Sequence, residues 1–359
     1  MNLLTRYLLR GNLFLLFSIL LIGTGLYVLT DLFERLDHFI DASFGLFNIL
    51  FFYAVKVPFI VGQILPAVFL IAIIVQFCLM AKARELVALE SGGVSPLVFL
   101  RFVIFYACIW AVAQFVLVQV LGIEGDKLAT KIWREDIKGD DATDAKIEAL
   151  WFTEGAYVVY LGETNLKQGK GKDFLAYKLS KDDTRLLQMV RAQSFVVEDK
   201  TWTLYDATVI TPETYGYVHE PEMTLPLEQD ISAFLAFEPG TKPSRLPAWH
   251  LRDAIQGLER SGSNVEVLRT SYYSHFAYAA SVIVMGVLGL AITLWRNNVY
   301  LAVGIGLVCT FFYYAATTMC VSLGEKGVWA PLVAAWLPTG VFFSLGVAAI
   351  FCRIRPRLQ

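Results

Sequence analysis

Few residues in this chain have the types and spacing for chemistry, and most of those are badly placed for it. The four histidines, His38, His219, His250 and His275, stand far apart and fit no His-Glu-x-x-His or related metal-ligand spacing. The five cysteines, Cys78, Cys108, Cys309, Cys320 and Cys352, all lie in or beside apolar runs, with no Cys-x-x-Cys pair and no disulfide framework. Gln168-Gly-Lys-Gly-Lys172 is glycine-rich but lacks the Gly-x-x-x-x-Gly-Lys-Ser/Thr spacing that cradles phosphates, and it reads as a solvated loop. No catalytic group, metal site or cofactor is therefore expected. Two sets of charge remain. Arg35, Lys56, Lys127 and Lys131 flank the ends of apolar runs, where they either anchor helices at an interface or pair with the phosphates of anionic lipid head groups. The other set lies in residues 82–96, KARELVALESGGVSP, between two long apolar segments.

Residues 82–91 have the composition of a short helix, since Ala, Arg, Glu and Leu are good helix formers. Gly92 and Gly93 stop it, glycine being suited to the left-handed turn that closes a helix. Ser95-Pro96 opens the next helix, with Ser as the cap and Pro where no N–H is needed. Leu86 and Leu89, three apart, share one face, and Lys82, Arg84, Glu85 and Glu90 supply charge around it. Such a segment is either an interfacial helix resting on lipid or a lever gripped by a partner outside the membrane.

The elements that position these residues follow from composition. The 359 residues are 56% hydrophobic and 17% charged, well below the roughly 25% charge of soluble chains. A net charge of −2 argues against a nucleic-acid partner. Uncharged runs cover residues 11–30, 57–80, 102–123, 276–295, 299–322 and 329–352. Each has the roughly 20 residues a crossing needs. The first follows Arg6 and Arg10 but meets no small-residue cleavage site, so it is read as a retained helix rather than a signal peptide. No Asp, Glu, Lys or Arg stands in the middle of a run, which argues against an ion-driven transporter or pump. Arg6, Arg10, Lys82, Arg84, Arg101, Arg296, Arg353, Arg355 and Arg357 fall on one side, which the positive-inside rule makes cytoplasmic.

Residues 124–269 are charged and turn-rich, and on this topology they are extracytoplasmic. Strand-like runs at 149–153, 156–161, 174–179, 185–190, 194–197 and 201–209 alternate with turn signals at Glu154-Gly155, Lys181-Asp-Asp-Thr184 and Asp199-Lys200. Trp202 and Leu204 point to one side of their strand, and Thr201, Thr203 and Tyr205 to the other. Such a pattern suits a sandwich, an open roll or a jelly roll. Residues 251–260 form an amphipathic helix stopped at Ser261-Gly262, expected at the outer membrane surface. The fold class is a polytopic α-helical membrane protein of six transmembrane helices with an all-β domain inserted between helices 3 and 4. The divisions are 1–123, with the short helix at 82–91, then 124–250 for the β domain and 251–359 for the remaining helices.

The order and spacing of several segments resemble the LptF/LptG permease subunits of the lipopolysaccharide export ABC transporter over essentially the whole chain. They are Arg84-Glu-Leu-Val-Ala-Leu89 with Ser91-Gly-Gly-Val-Ser95, Leu150-Trp-Phe152, Val158-Val-Tyr160, Trp202-Thr-Leu204, Leu258-Glu-Arg-Ser-Gly262 and Ala334-Ala-Trp-Leu-Pro338. Asp31-Leu-Phe-Glu-Arg-Leu-Asp-His-Phe39 tilts the resemblance toward LptG. The family's lysine near the start of the fourth helix is not matched here, where Tyr272-Tyr-Ser-His275 stands. The resemblance implies a non-enzymatic subunit of the bacterial inner membrane that pairs with an LptF-type partner. It implies that a separate LptB ATPase dimer grips the 82–91 segment, with Arg84, Glu85, Leu86, Leu89 and Gly92 as contacts. It also implies a periplasmic jellyroll that passes lipopolysaccharide to LptC and LptA, its acyl chains sliding along Val158, Tyr160, Trp202 and Leu204. The alternative from another class is a membrane scaffold whose β domain docks a periplasmic partner.

Overall fold

The computed structural model describes residues 3–42, 44–133, 137, 146–154, 156–165, 169–180, 185–198, 201–212, 216–227, 243–260, 265–296 and 298–354. The chain divides into two compact units, one of residues 1–138 with 270–359 and one of residues 139–269.

In the first unit the helices are α1 (Leu3–Asp41), α2 (Leu46–Lys82), α3 (Glu85–Ser91), α4 (Pro96–Val116) and α5 (Ile123–Ile132). A wide helical turn, Leu117–Gly122, joins α4 to α5. The chain returns through α7 (Glu266–Trp295), α8 (Val299–Glu325) and α9 (Pro331–Ile354), with α6 (Ala248–Arg260) preceding them in the other unit. Six helices, α4 and α5 counting as one, are long and apolar enough to cross a membrane. They outrun the uncharged stretches that announced them. At 1.5 Å per residue the 39 residues of α1 reach roughly 58 Å, nearly twice a ~30 Å hydrocarbon core. Helical hydrogen bonding thus carries Asp31 to Asp41 on as the last turns of α1.

The unit is built around α2. Leu65, Phe69, Ile73 and Phe77 of α2 share a buried cluster with Leu8 and Leu16 of α1, Val103 and Ala107 of α4, and Val287 and Leu290 of α7. Leu70, Ile74 and Cys78 face a second cluster with Met285 of α7 and Ala302 and Tyr313 of α8. Small residues let the backbones approach, as membrane helices require. A Cβ on Gly125 of α5 would lie 2.2 Å from the Val55 carbonyl, and one on Gly62 would lie 2.2 Å from Val118. Pro66 interrupts α2 and frees the carbonyl four residues back, which in lipid must find another donor. It does: the buried Gln114 amide of α4 donates to the Gly62 carbonyl at 2.7 Å. The Tyr278 hydroxyl donates to the neighbouring Gln63 carbonyl at 2.6 Å.

The second unit holds a six-stranded antiparallel sheet in which every strand pairs with its sequence neighbours. The strands are β1 (Lys146–Glu154), β2 (Tyr157–Asn165), β3 (Lys170–Leu179), β4 (Leu186–Glu198), β5 (Thr201–Thr211) and β6 (Gly216–Leu225). The order is a meander. The runs expected at 185–190 and 194–197 are one strand, β4. Lys170, Gly171 and Lys172, read from sequence as loop, open β3, because Gly171 lies under the Phe195 ring, where a Cβ would meet it at 2.4 Å. One face is buried: Val159 and Leu161 of β2, Phe174, Val190, Phe195, Trp202 and Leu204, with Phe195 stacked on Trp202 at 5.7 Å. Asp173 and Asp206 adopt positive φ where the pairing skips a residue on each strand without a change of register. The turns expected at Gly155, Gln168, Lys181-Asp-Asp-Thr184, Asp199-Lys200 and Ser261-Gly262 fall outside the described residues.

Candidate functional site

The short helix α3 is real, but its start differs from the sequence reading. Lys82 is the last residue of α2, and the break falls at Arg84, whose φ of 59° is left-handed without glycine's freedom. The exit matches the expectation closely. Gly93 takes φ 85°, its N–H donates to the Glu90 carbonyl at 3.0 Å, and Val94 N–H donates to Leu89 at 3.0 Å. Those paired bonds, with Val94 and Leu89 packed alike, are the usual glycine closure of a helix. Ser95 then caps α4 by accepting from Leu97 N–H at 3.3 Å.

The faces of α3 come out differently from a free lever. Leu86 and Leu89 pack against the bundle's own core cluster, because a two-leucine stripe beside a large apolar unit is buried by it first. Arg84, Val87, Ala88 and Ser91 are exposed, with Val87 at 63%. Glu85 is half-buried and accepts a 2.9 Å hydrogen bond from the Tyr7 hydroxyl of α1. The helix is thus rooted on the membrane unit by its leucines and tied to α1 by its carboxylate, while a third face is open.

At the far end of α1 and α2 two of the four basic residues named from sequence, Arg35 and Lys56, converge. Lys56 Nζ lies 2.8 Å from Asp31 Oδ2, and Arg35 Nε lies 3.2 Å from the same oxygen. The Tyr53 hydroxyl donates to that oxygen at 3.0 Å. The Arg35 guanidinium also covers the Trp133 ring at 4.2 Å, in an aromatic group with Phe39 and Phe52. Two cations thus share one carboxylate oxygen, Lys56 largely buried and Arg35 about a third exposed. Lys127 pairs with Glu124 at 3.3 Å, and Lys131 lies one turn further along α5. Asp31 and Tyr53 were not identified from sequence as site residues. The four-residue spacing of Asp31 and Arg35 was a usable signal, but the partner on α2 was not.

In the β unit Trp202 and Leu204 are fully buried, whereas Val158 and Tyr160 are only half-buried. The four residues expected along one acyl-chain groove therefore lie on two faces of the sheet. Pairing fixes this: Leu161 lies opposite Phe174 and Val159 opposite Ala176, all on the buried face, while Val158 and Tyr160 lie opposite Tyr177 and Leu175. On β2 the fully buried side chains are Val159, Leu161 and Thr164, the last in register with Leu204 through Gly171 and Phe195.

No curated protein matches the sequence. Residues 6–351 match the family model described as lipopolysaccharide export system permease LptF/LptG. Six membrane-crossing helices, a β unit set between the third and fourth, and a match running nearly end to end agree, and the chain belongs to the LptF/LptG family of lipopolysaccharide export permeases, an inner-membrane protein.

Proposed function

We propose that the chain is the LptG-type subunit of a transporter that extracts lipopolysaccharide from the inner membrane and is driven by a separate LptB ATPase gripping α3. It pairs with an LptF-type subunit, and its β unit, a periplasmic jellyroll, hands the lipid toward LptC and LptA. The observation that carries this reading is α3 itself. It is a separate helix, offset from α2 by the turn at Arg84 and rooted on the bundle core by Leu86 and Leu89, so force applied to its outer face reaches the membrane helices. An energy source outside the chain is needed. Moving an acyl methylene from lipid to water costs about 0.8 kcal/mol, so a chain of a dozen carbons costs on the order of 10 kcal/mol.

Glu85→Ala, or an arginine at Val87, should reduce co-purification of the ATPase or uncouple ATP hydrolysis from lipid release. Full ATPase retention with normal export in both variants would make α3 a surface anchor. Orientation has its own test in a cysteine-free background. A cysteine at exposed Lys172 should react with a membrane-impermeant thiol reagent in spheroplasts, and one at exposed Arg296 should not.

The partly exposed Arg35 beside Lys56 supports a head-group contact, because a guanidinium suits phosphate bidentately and lysine adds a point charge. Arg35→Glu should then impair export more than Arg35→Lys. The buried face of the β unit supports an apolar route that opens only during transport. A photo-crosslinker at Leu204 should label lipopolysaccharide in an ATP-dependent way, and one at Val158, on the other face, should not. Labelling at neither position in an exporting complex would make the β unit a docking module.

A further inference from the structure

At the α3 end of the membrane unit, α1 and α2 part to leave an open groove of about 890 Å³. Its lining changes character along its length. Arg10 of α1 and Lys82 of α2 supply positive charge, while Phe14 and Leu15 of α1 with Leu79 and Met80 of α2 supply an apolar wall. Neither cation makes an ion pair or a side-chain hydrogen bond among the described residues, and both are exposed. The acidic group in the lining is Glu85, which is held by Tyr7.

The lining also includes Gln76, a polar residue that is 5% exposed. Its Nε2 donates to the Leu8 carbonyl at 2.8 Å, and its Oε1 accepts from Asn12 Nδ2 at 2.8 Å. Gly11 keeps the approach open, since a Cβ there would sit 3.3 Å from Gln76 Nε2. The two Gln76 bonds pin α1 to α2 at a polar point, where the fully buried Asn12 keeps its Oδ1 unpartnered. The groove therefore opens beside a point where the two helices are joined by hydrogen bonds.

We propose that this groove binds one anionic glycerophospholipid, its phosphate held by Arg10 and Lys82 and its proximal acyl chain lying on Phe14, Leu15, Leu79 and Met80. The charge arrangement selects the occupant. Two unpaired cations beside an apolar wall at the end of a membrane-crossing helix match a molecule with a negative head and a greasy body. A zwitterionic lipid would offset its own phosphate, and a free anion would leave the wall in water. The volume falls in the range of roughly 300–1,000 Å³ typical of single-ligand sites. The site is at the opposite end of α1 from the Asp31 cluster, so it is separate from any head-group contact of the exported lipid. A bound lipid would sit against Glu85 and the root of α3, making membrane composition an input to the coupling helix.

The test uses the full-length chain in detergent, without its ATPase, so that failure here says nothing of export and failure of export says nothing here. Phosphatidylglycerol and phosphatidylcholine are titrated in turn, and bound lipid is counted by native mass spectrometry. Phosphatidylglycerol should be retained in preference, and the double variant Arg10→Glu with Lys82→Glu should weaken it about tenfold while leaving phosphatidylcholine unchanged. Glu85→Gln removes the one acidic lining group and should strengthen phosphatidylglycerol a few-fold. This gain decides the matter even if the double variant folds poorly. Equal retention of the two lipids, or no response to Glu85→Gln, overturns the proposal. So does displacement of phosphatidylglycerol by millimolar glycerol phosphate, which would show a simple anion site.

Discussion

The two ends of the α1–α2 pair handle charge in opposite ways. Tyr7 and Asp31 are 24 residues apart on one helix, roughly 36 Å. At the Asp31 end, Lys56, Arg35 and Tyr53 each direct one donor to a single carboxylate oxygen inside an aromatic cage. At the Tyr7 end, one exposed hydroxyl holds Glu85, and Arg10 and Lys82 face an open groove. Internal pairing out of water fixes geometry, because breaking it strands a buried charge. Exposed, singly bonded groups are cheap to release, so the α3 end is built to change partners and the Asp31 end to stay put.

Asp31→Ala should cut deepest. It leaves Lys56, whose side chain is 11% exposed, without its counter-charge and should cost about 3 kcal/mol in thermal unfolding of the full chain in detergent. A loss no greater than that of Glu85→Ala would abolish the contrast between the ends. Next is Gln114→Leu, which orphans the Gly62 carbonyl released by Pro66 and should cost about 2 kcal/mol by the same measurement. An unchanged melting point would mean that α2 tolerates an unpaired Gly62 carbonyl. Tyr7→Phe should have the smallest effect, under about 1 kcal/mol, because the bond to Glu85 is exposed. Its signature should be local: amide exchange speeds up a few-fold within α3 and stays unchanged in α2. Uniform exchange across both helices would mean that α3 is as firmly held as the bundle.

The spans were legible in the sequence because hydrocarbon tolerates no charge, and six uncharged runs became six crossing helices. The end of α3 was legible too, glycine and the Ser-Pro pair having few other uses. Its start was not, since nothing in the letters of Arg84 announces a left-handed turn. In β2 the run Val158, Val159, Tyr160, Leu161 is apolar at both parities, so alternation could not choose a face; pairing with Phe174 and Ala176 chose the one not expected. The Asp31 cluster stayed hidden for a third reason. Its members come from two helices and a residue a hundred positions on, and only packing brings Trp133 over Arg35.

The hydrogen bond missing at Pro66 has a mechanical consequence. Gln114 of α4 holds Gly62, while Tyr278 of α7 and Tyr314 of α8, the latter at 3.5 Å, hold the adjoining Gln63 carbonyl. Helices from both halves of the chain thus clasp one point on the central rod, as bearings hold an axle. From Gln63 to Lys82 the rod runs on for 19 residues, roughly 28 Å. A rocking of about 10° at that fulcrum would sweep the root of α3 through roughly 5 Å, the rise of one helical turn. A stroke of that size would move α3 by about one full turn without unwinding any part of α2.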